Sequence, residues 1–98
     1  MGTRLPTDAH ARAEARDLAE RALLFAAARP DVLTALFETS GADAGALRAM
    51  VALPEFPRFI LDFLLAEDRR VHDFAEAEGL APEMVARVRA RLDAGLSG

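Results

Sequence analysis

The groups in this 98-residue chain able to ligate a metal, attack an electrophile or relay a proton are His10, His72, Ser40, Ser97 and sixteen carboxylates; there is no cysteine. A zinc-type site needs several His, Cys or carboxylate ligands at short spacing. His10 and His72 are far apart in sequence, and neither stands in an HxxxH or HExxH context. Both read as solvent-facing helix residues. A serine nucleophile needs a base beside it, but Ser40 falls at a helix end and Ser97 in a tail. Glu76 and Glu78 stand two apart, a spacing that separates them around a helix and gives no shared proton. Gly41 and Gly45 match neither the Walker nor the Rossmann phosphate loop. The expectation is a non-enzymatic chain with no catalytic residue, no cofactor and no metal.

One pattern has a recognisable geometry. Residues 71–88, VHDFAEAEGLAPEMVARV, have the layout of a helix-turn-helix. Ala75 is small where two helices approach, Gly79 supplies a left-handed turn, Leu80 plugs the corner, and Val85 and Val88 dock the second helix. Any tight helix-glycine-helix corner makes the same demands, so a packed corner is the simpler reading. The alternative is a DNA-binding regulator using residues 71–92, with Arg87 and Arg91 as the contacts and Glu83 repelling phosphate. A net charge of −4 speaks against nucleic acid and anionic lipid alike.

A second candidate surface comes from hydrophobicity. Phe56, Phe59, Ile60, Leu61, Phe63, Leu64 and Leu65 leave a polar strip of only Arg58 and Asp62, themselves spaced as an i,i+4 pair. A helix with so little polar surface is buried on most sides, either at the centre of this domain or against another chain. Phe56, Phe59, Leu61 and Leu65 are therefore the candidate partner interface, with the outer side of the first helix as the other possibility. The occupant would be a partner protein or a second copy of the chain.

The elements that position these residues read as helices throughout. Ala11, Ala15, Leu18, Ala22 and Phe25 recur at alternating spacings of four and three, which predicts a helix from Thr7, a plausible N-cap, to about Arg29. Asp17 with Arg21, and more weakly Arg12 with Glu14, fall at spacings for surface pairs. The segment Ala22-Leu23-Leu24-Phe25-Ala26-Ala27-Ala28 is apolar all round, so this end should be covered more deeply than the beginning. Pro30 stops the helix and, with Asp31, opens a second one with Val32, Leu33, Leu36 and Phe37 as its stripe and Gly41 as its cap. Asp43 caps a short third helix bearing Leu47, Met50 and Val51, which Gly45 weakens. Pro54 and Pro57 bracket the start of the fourth. Asp68 caps a fifth, with Val71, Phe74 and Ala75 inward, and Pro82 with Glu83 opens a sixth carrying Val85, Val88 and Leu92.

With 52% hydrophobic and 29% charged residues, the composition is that of a globular protein, and 98 residues suit one core. The expected fold is an all-α, compact bundle of five to six short helices ending in a helix-turn-helix-like corner. It forms a single domain over 1–98, ordered over about 8–93, with loose ends at 1–6 and 94–98. No run approaches the ~20 apolar residues of a membrane span, since 59–65 is short and holds Asp62. The first residues lack the apolar stretch of a signal peptide and the Ser or Thr of a myristoylation site. The expectation is therefore a cytoplasmic chain with no membrane anchor.

The stretch PEFPRFILDFLLAED at 54–68, followed by Phe74-Ala75 and Glu78-Gly79-Leu80-Ala81-Pro82-Glu83, resembles a family of short alphaproteobacterial proteins, domain of unknown function three-five-seven-two. The resemblance runs from about Ala13 to Leu92 and includes the leucine-phenylalanine end of the first helix, Ala22-Leu23-Leu24-Phe25. It implies no assigned activity, cofactor or substrate, and so favours a non-enzymatic protein-interaction or regulatory adaptor module.

Overall fold

The computed structural model describes the backbone of residues 7–97 and the side chains of residues 10–93. Six α-helices follow one another: α1 (Thr7–Ala27), α2 (Pro30–Ser40), α3 (Ala44–Val51), α4 (Phe56–Leu65), α5 (Asp68–Glu78) and α6 (Pro82–Ser97). No strand occurs among the described residues, so the chain is the all-α bundle that its periodicity predicts. The expected loose ends lie largely outside the described residues, although the α6 backbone is helical through 94–97. Thr7 is helical and is the first residue described, and its side chain, expected to cap the helix, lies outside the described set.

The spine is α1, against which α4 and α6 pack most extensively and α2 and α5 more lightly. Its inward face is built largely of alanine: Ala11, Ala15, Ala19, Ala22 and Ala26 are all buried, with Leu18 and Phe25 between them. Small side chains let neighbouring backbones approach closely, because interaxial distance follows the residues at the contact. Phe56, Ile60, Leu61, Phe63 and Leu64 of α4 fill the centre, met by Val71 and Phe74 of α5 and by Val85, Val88 and Leu92 of α6. The Phe25 and Phe74 rings meet edge to face, with centroids 5.4 Å apart.

The turns follow the punctuation. Pro30 ends α1 and occupies the first turn of α2. Gly41 and Gly79 both take positive φ, near 70°. At Gly79 the Leu80 N–H reaches back to the Ala75 carbonyl at 2.8 Å, closing the end of α5 as a Schellman-type cap. The Asp43 side chain accepts from Ala46 N–H at 2.9 Å and caps α3 as expected.

One expectation is corrected and two are refined. Asp68 does not cap α5: Glu67 holds that position without a side-chain bond, and Asp68 is the first helical residue, where its charge meets the helix dipole. The deeper cover expected at the end of α1 falls on Ala22, Phe25 and Ala26, while Leu24 is 71% exposed and Ala27 and Ala28 face solvent. An all-round apolar segment says nothing about which side its neighbours occupy, and α2 and α5 cover only the other sides. Finally, the α2 stripe faces the core as expected, with Leu36 fully buried and Val32, Leu33 and Phe37 packed at its edge.

Two substitutions check this architecture by chemical denaturation. Phe74→Ala removes a fully buried ring and should destabilise the fold by about 3–5 kcal/mol. Gly79→Ala has open space for its methyl group but not the backbone freedom, and should cost about 1–2 kcal/mol.

Candidate functional site

The groups singled out for chemistry stay apart. His10 and His72 are both exposed, and among the described residues no three of His, Asp and Glu come together as a metal site. Ser40 is used locally: its Oγ donates to the Phe37 carbonyl at 3.3 Å and accepts from Ala42 N–H at 3.1 Å, finishing α2. The Ser97 side chain lies outside the described residues.

What the fold does bring together is a set of arginine–carboxylate contacts between helices. Arg89 of α6, 16% exposed at its side chain, donates from Nε and Nη2 to the two carboxylate oxygens of Asp62 on α4, at 2.7 and 3.2 Å. This forked geometry is the strong form of the pair. Its Nη1 lies 2.9 Å from Asp93 one turn on, and Arg58 of α4 reaches the same Asp93 oxygen at 3.2 Å. The expected Arg58–Asp62 pair within α4 is therefore replaced: each residue takes its partner from α6. The Arg12–Glu14 pair is likewise absent, because Glu14 accepts from Arg91 of α6 at 2.6 Å. Asp17 and Arg21 do pair, at 3.2 Å, and Arg21 also lies 3.7 Å from Glu78 at the end of α5.

Two further arginines hold helix ends that sequence spacing did not connect to them. Arg16 of α1 donates to the carbonyls of Val51 and Leu53, each at 3.3 Å, and so satisfies the C-terminal end of α3. Arg70 donates to the Phe63 carbonyl at 2.7 Å while its guanidinium lies 4.0 Å from the centre of the Phe63 ring. Spacing along one helix reveals pairs within that helix only; these contacts depend on which helices become neighbours.

The candidate DNA contacts fall in different situations. Arg87 is exposed on α6 and forms no ion pair with a described residue, whereas Arg91 is engaged by Glu14 and would have to leave it to meet a phosphate. Of the candidate interface residues, Phe56 and Leu61 lie wholly inside the chain's own core; Phe59 and Leu65 are partly covered. Among the described residues the large hydrophobics left exposed lie elsewhere, at Leu24 on α1 and at Leu53, 48% exposed, ahead of α4. An open groove lined by Arg12, Pro54, Glu55, Arg58 and Leu92 separates α1 from the start of α4. Its two arginines are offset by Glu55 and by the Asp93 partner of Arg58.

The hydrogen bond from Arg89 holds the Asp93 carboxyl below its ordinary value near 3.8, with the Arg89 and Arg58 charges acting in the same direction against partial loss of hydration. Hydrogen bonds to Asp62 and then Asp93 raise Arg89 in turn. A carboxylate with a lowered folded-state value adds stability above its unfolded-state value and loses it as pH falls through the lowered one. The stability of the chain should thus decline below about pH 4, and Asp93→Asn should flatten that part of the profile in acid titration followed by circular dichroism. Arg89→Met should cost about 1–2 kcal/mol at neutral pH, because Asp62 keeps access to water once its partner is gone.

No curated protein and no solved structure matches the chain. The profile of a family described as "protein of unknown function" (DUF3572) matches residues 12–95, which takes in the alanine face of α1, the whole of α4 and the α5–α6 corner. The chain belongs to that family.

Proposed function

We propose that this chain is a non-catalytic protein-interaction module of the regulatory adaptor kind, working in the cytoplasm, and that it meets its partner through the outer face of the C-terminal end of α1. The observation that carries this reading is Leu24. Among the described residues only Leu24 and Leu53 are large hydrophobics left exposed, and Leu24 is the more open of the two. Burying it against a partner is worth about 1.5–3 kcal/mol. Ala27 and Ala28, exposed one turn on, continue the same face and allow a partner to come close.

The Phe56–Leu65 helix supports a weaker version of the idea, since Phe59 and Leu65 retain only part of their surface. DNA reading by residues 71–92 draws little support: Arg91 already has a carboxylate, Glu83 stands at the start of α6, and the chain is acidic.

The test is capture from native cell extract with tagged chain, alongside sizing over a range of concentrations. Wild type should retain a stoichiometric protein, or self-associate, and Leu24→Gln should lose that association while its unfolding free energy stays within about 0.5 kcal/mol of wild type. A stable monomer that captures nothing, or an association that survives Leu24→Gln unchanged, would overturn the reading.

A further inference from the structure

Resting on the reading of the outer face of α1 as the docking surface, we propose that its occupant is a basic amphipathic helix of a partner protein rather than a second copy of this chain. The argument is electrostatic. Glu20 is exposed one turn before Leu24 and forms no ion pair with a described residue. Asp17 lies a further turn back on the same face. The one cation on that face, Arg21, is already answered by Asp17 at 3.2 Å and Glu78 at 3.7 Å.

The other end of the patch offers Glu20 no free cation. The last turn of α1 holds no basic residue. The next cation along the chain, Arg29, is folded back with its guanidinium 4.1 Å from the centre of the Phe25 ring. Leu24 is thus bounded by the unpaired carboxylate of Glu20 on one side and by neutral Ala27 and Ala28 on the other. The complementary surface is an apolar residue flanked by Arg or Lys one turn away, which is how an amphipathic helix presents itself to a helix face.

A second copy does not supply that complement. Two α1 helices packed in parallel through Leu24 would bring Glu20 against Glu20. Packed antiparallel across Leu24 they would set Glu20 opposite Ala28, which is neutral, and the neighbouring Arg29 would have to leave its own Phe25 ring to answer it. The partner helix must bring the positive charge, and its binding should weaken with salt.

The probe is a synthetic helical peptide of leucine, alanine and arginine, labelled for fluorescence anisotropy, with a twin in which every arginine is glutamate. The full chain should bind the arginine peptide saturably and the glutamate twin at least about tenfold more weakly. Leu24→Gln and Glu20→Gln should each weaken the arginine peptide several-fold, while Glu76→Gln, an exposed acid on α5, should leave it unchanged. Equal binding of both peptides would overturn the basic-partner inference while leaving an apolar docking face in place. An equal effect from Glu76→Gln would overturn it as general attraction to an acidic protein. No binding of the arginine peptide, or self-association lost on Leu24→Gln, would also overturn it. Extract capture decides the broader interaction reading separately, because it does not depend on the charge of the partner.

Discussion

Close approach of α4 and α6 to the alanine face of α1 is the constraint from which the other contacts follow. Ala15, Ala19 and Ala22 leave no accessible surface, and larger residues there would hold the two neighbouring helices away from the spine. With the backbones this near, the phenylalanines and leucines of α4 fill the space between helices without needing much from α1 itself. The same approach brings Glu14 within reach of Arg91 and sets α4 beside α6, so that Asp62 meets Arg89. Apolar packing sets the distance, and the ion pairs then set the register along the seam. Both arginines and their carboxylates keep contact with solvent, so their contribution is to orientation more than to net stability.

Which features could be read from the sequence follows from the range over which each is determined. Helix existence and inward stripes depend on residues three and four apart, and Ala11 through Phe25, Val71 with Phe74, and Val85 with Val88 and Leu92 all lie where their spacing puts them. Caps depend on a residue and its immediate neighbours, so Asp43, Gly41 and Gly79 could be placed, while Glu67 and Asp68 differ by one position because either can begin a turn. Ion-pair partners depend on which helices become neighbours. Arg58 and Asp62 satisfy the spacing rule within α4 and still find partners on α6, which offers a forked geometry that an i,i+4 pair does not.

The candidate interface divides along the same line. Hydrophobic density made α4 conspicuous, but density marks the centre of a small bundle as readily as a docking face, and Phe56 and Leu61 serve the centre. Leu24 was hidden inside a run apolar on every side, where no periodicity distinguishes the covered side from the open one. Only the placement of the neighbouring helices shows that one leucine is left facing water. Family membership adds a boundary, residues 12–95, that contains all of these contacts.

The seam between the first and last helices also bears on how the chain is made. Its two sides are separated by nearly the whole sequence, so a nascent chain leaving the ribosome presents α1 long before α6 exists to cover it. Until then, Ala15, Ala22 and their neighbours are shielded at most by α2, α4 and α5, and Glu14 has no Arg91. Most contacts here are local, so the helices can form as they emerge; the spine itself is closed only once α6 has been made. Closure of the spine is thereby tied to synthesis of α6, and a product stalled or truncated ahead of α6 keeps an uncovered small-residue face.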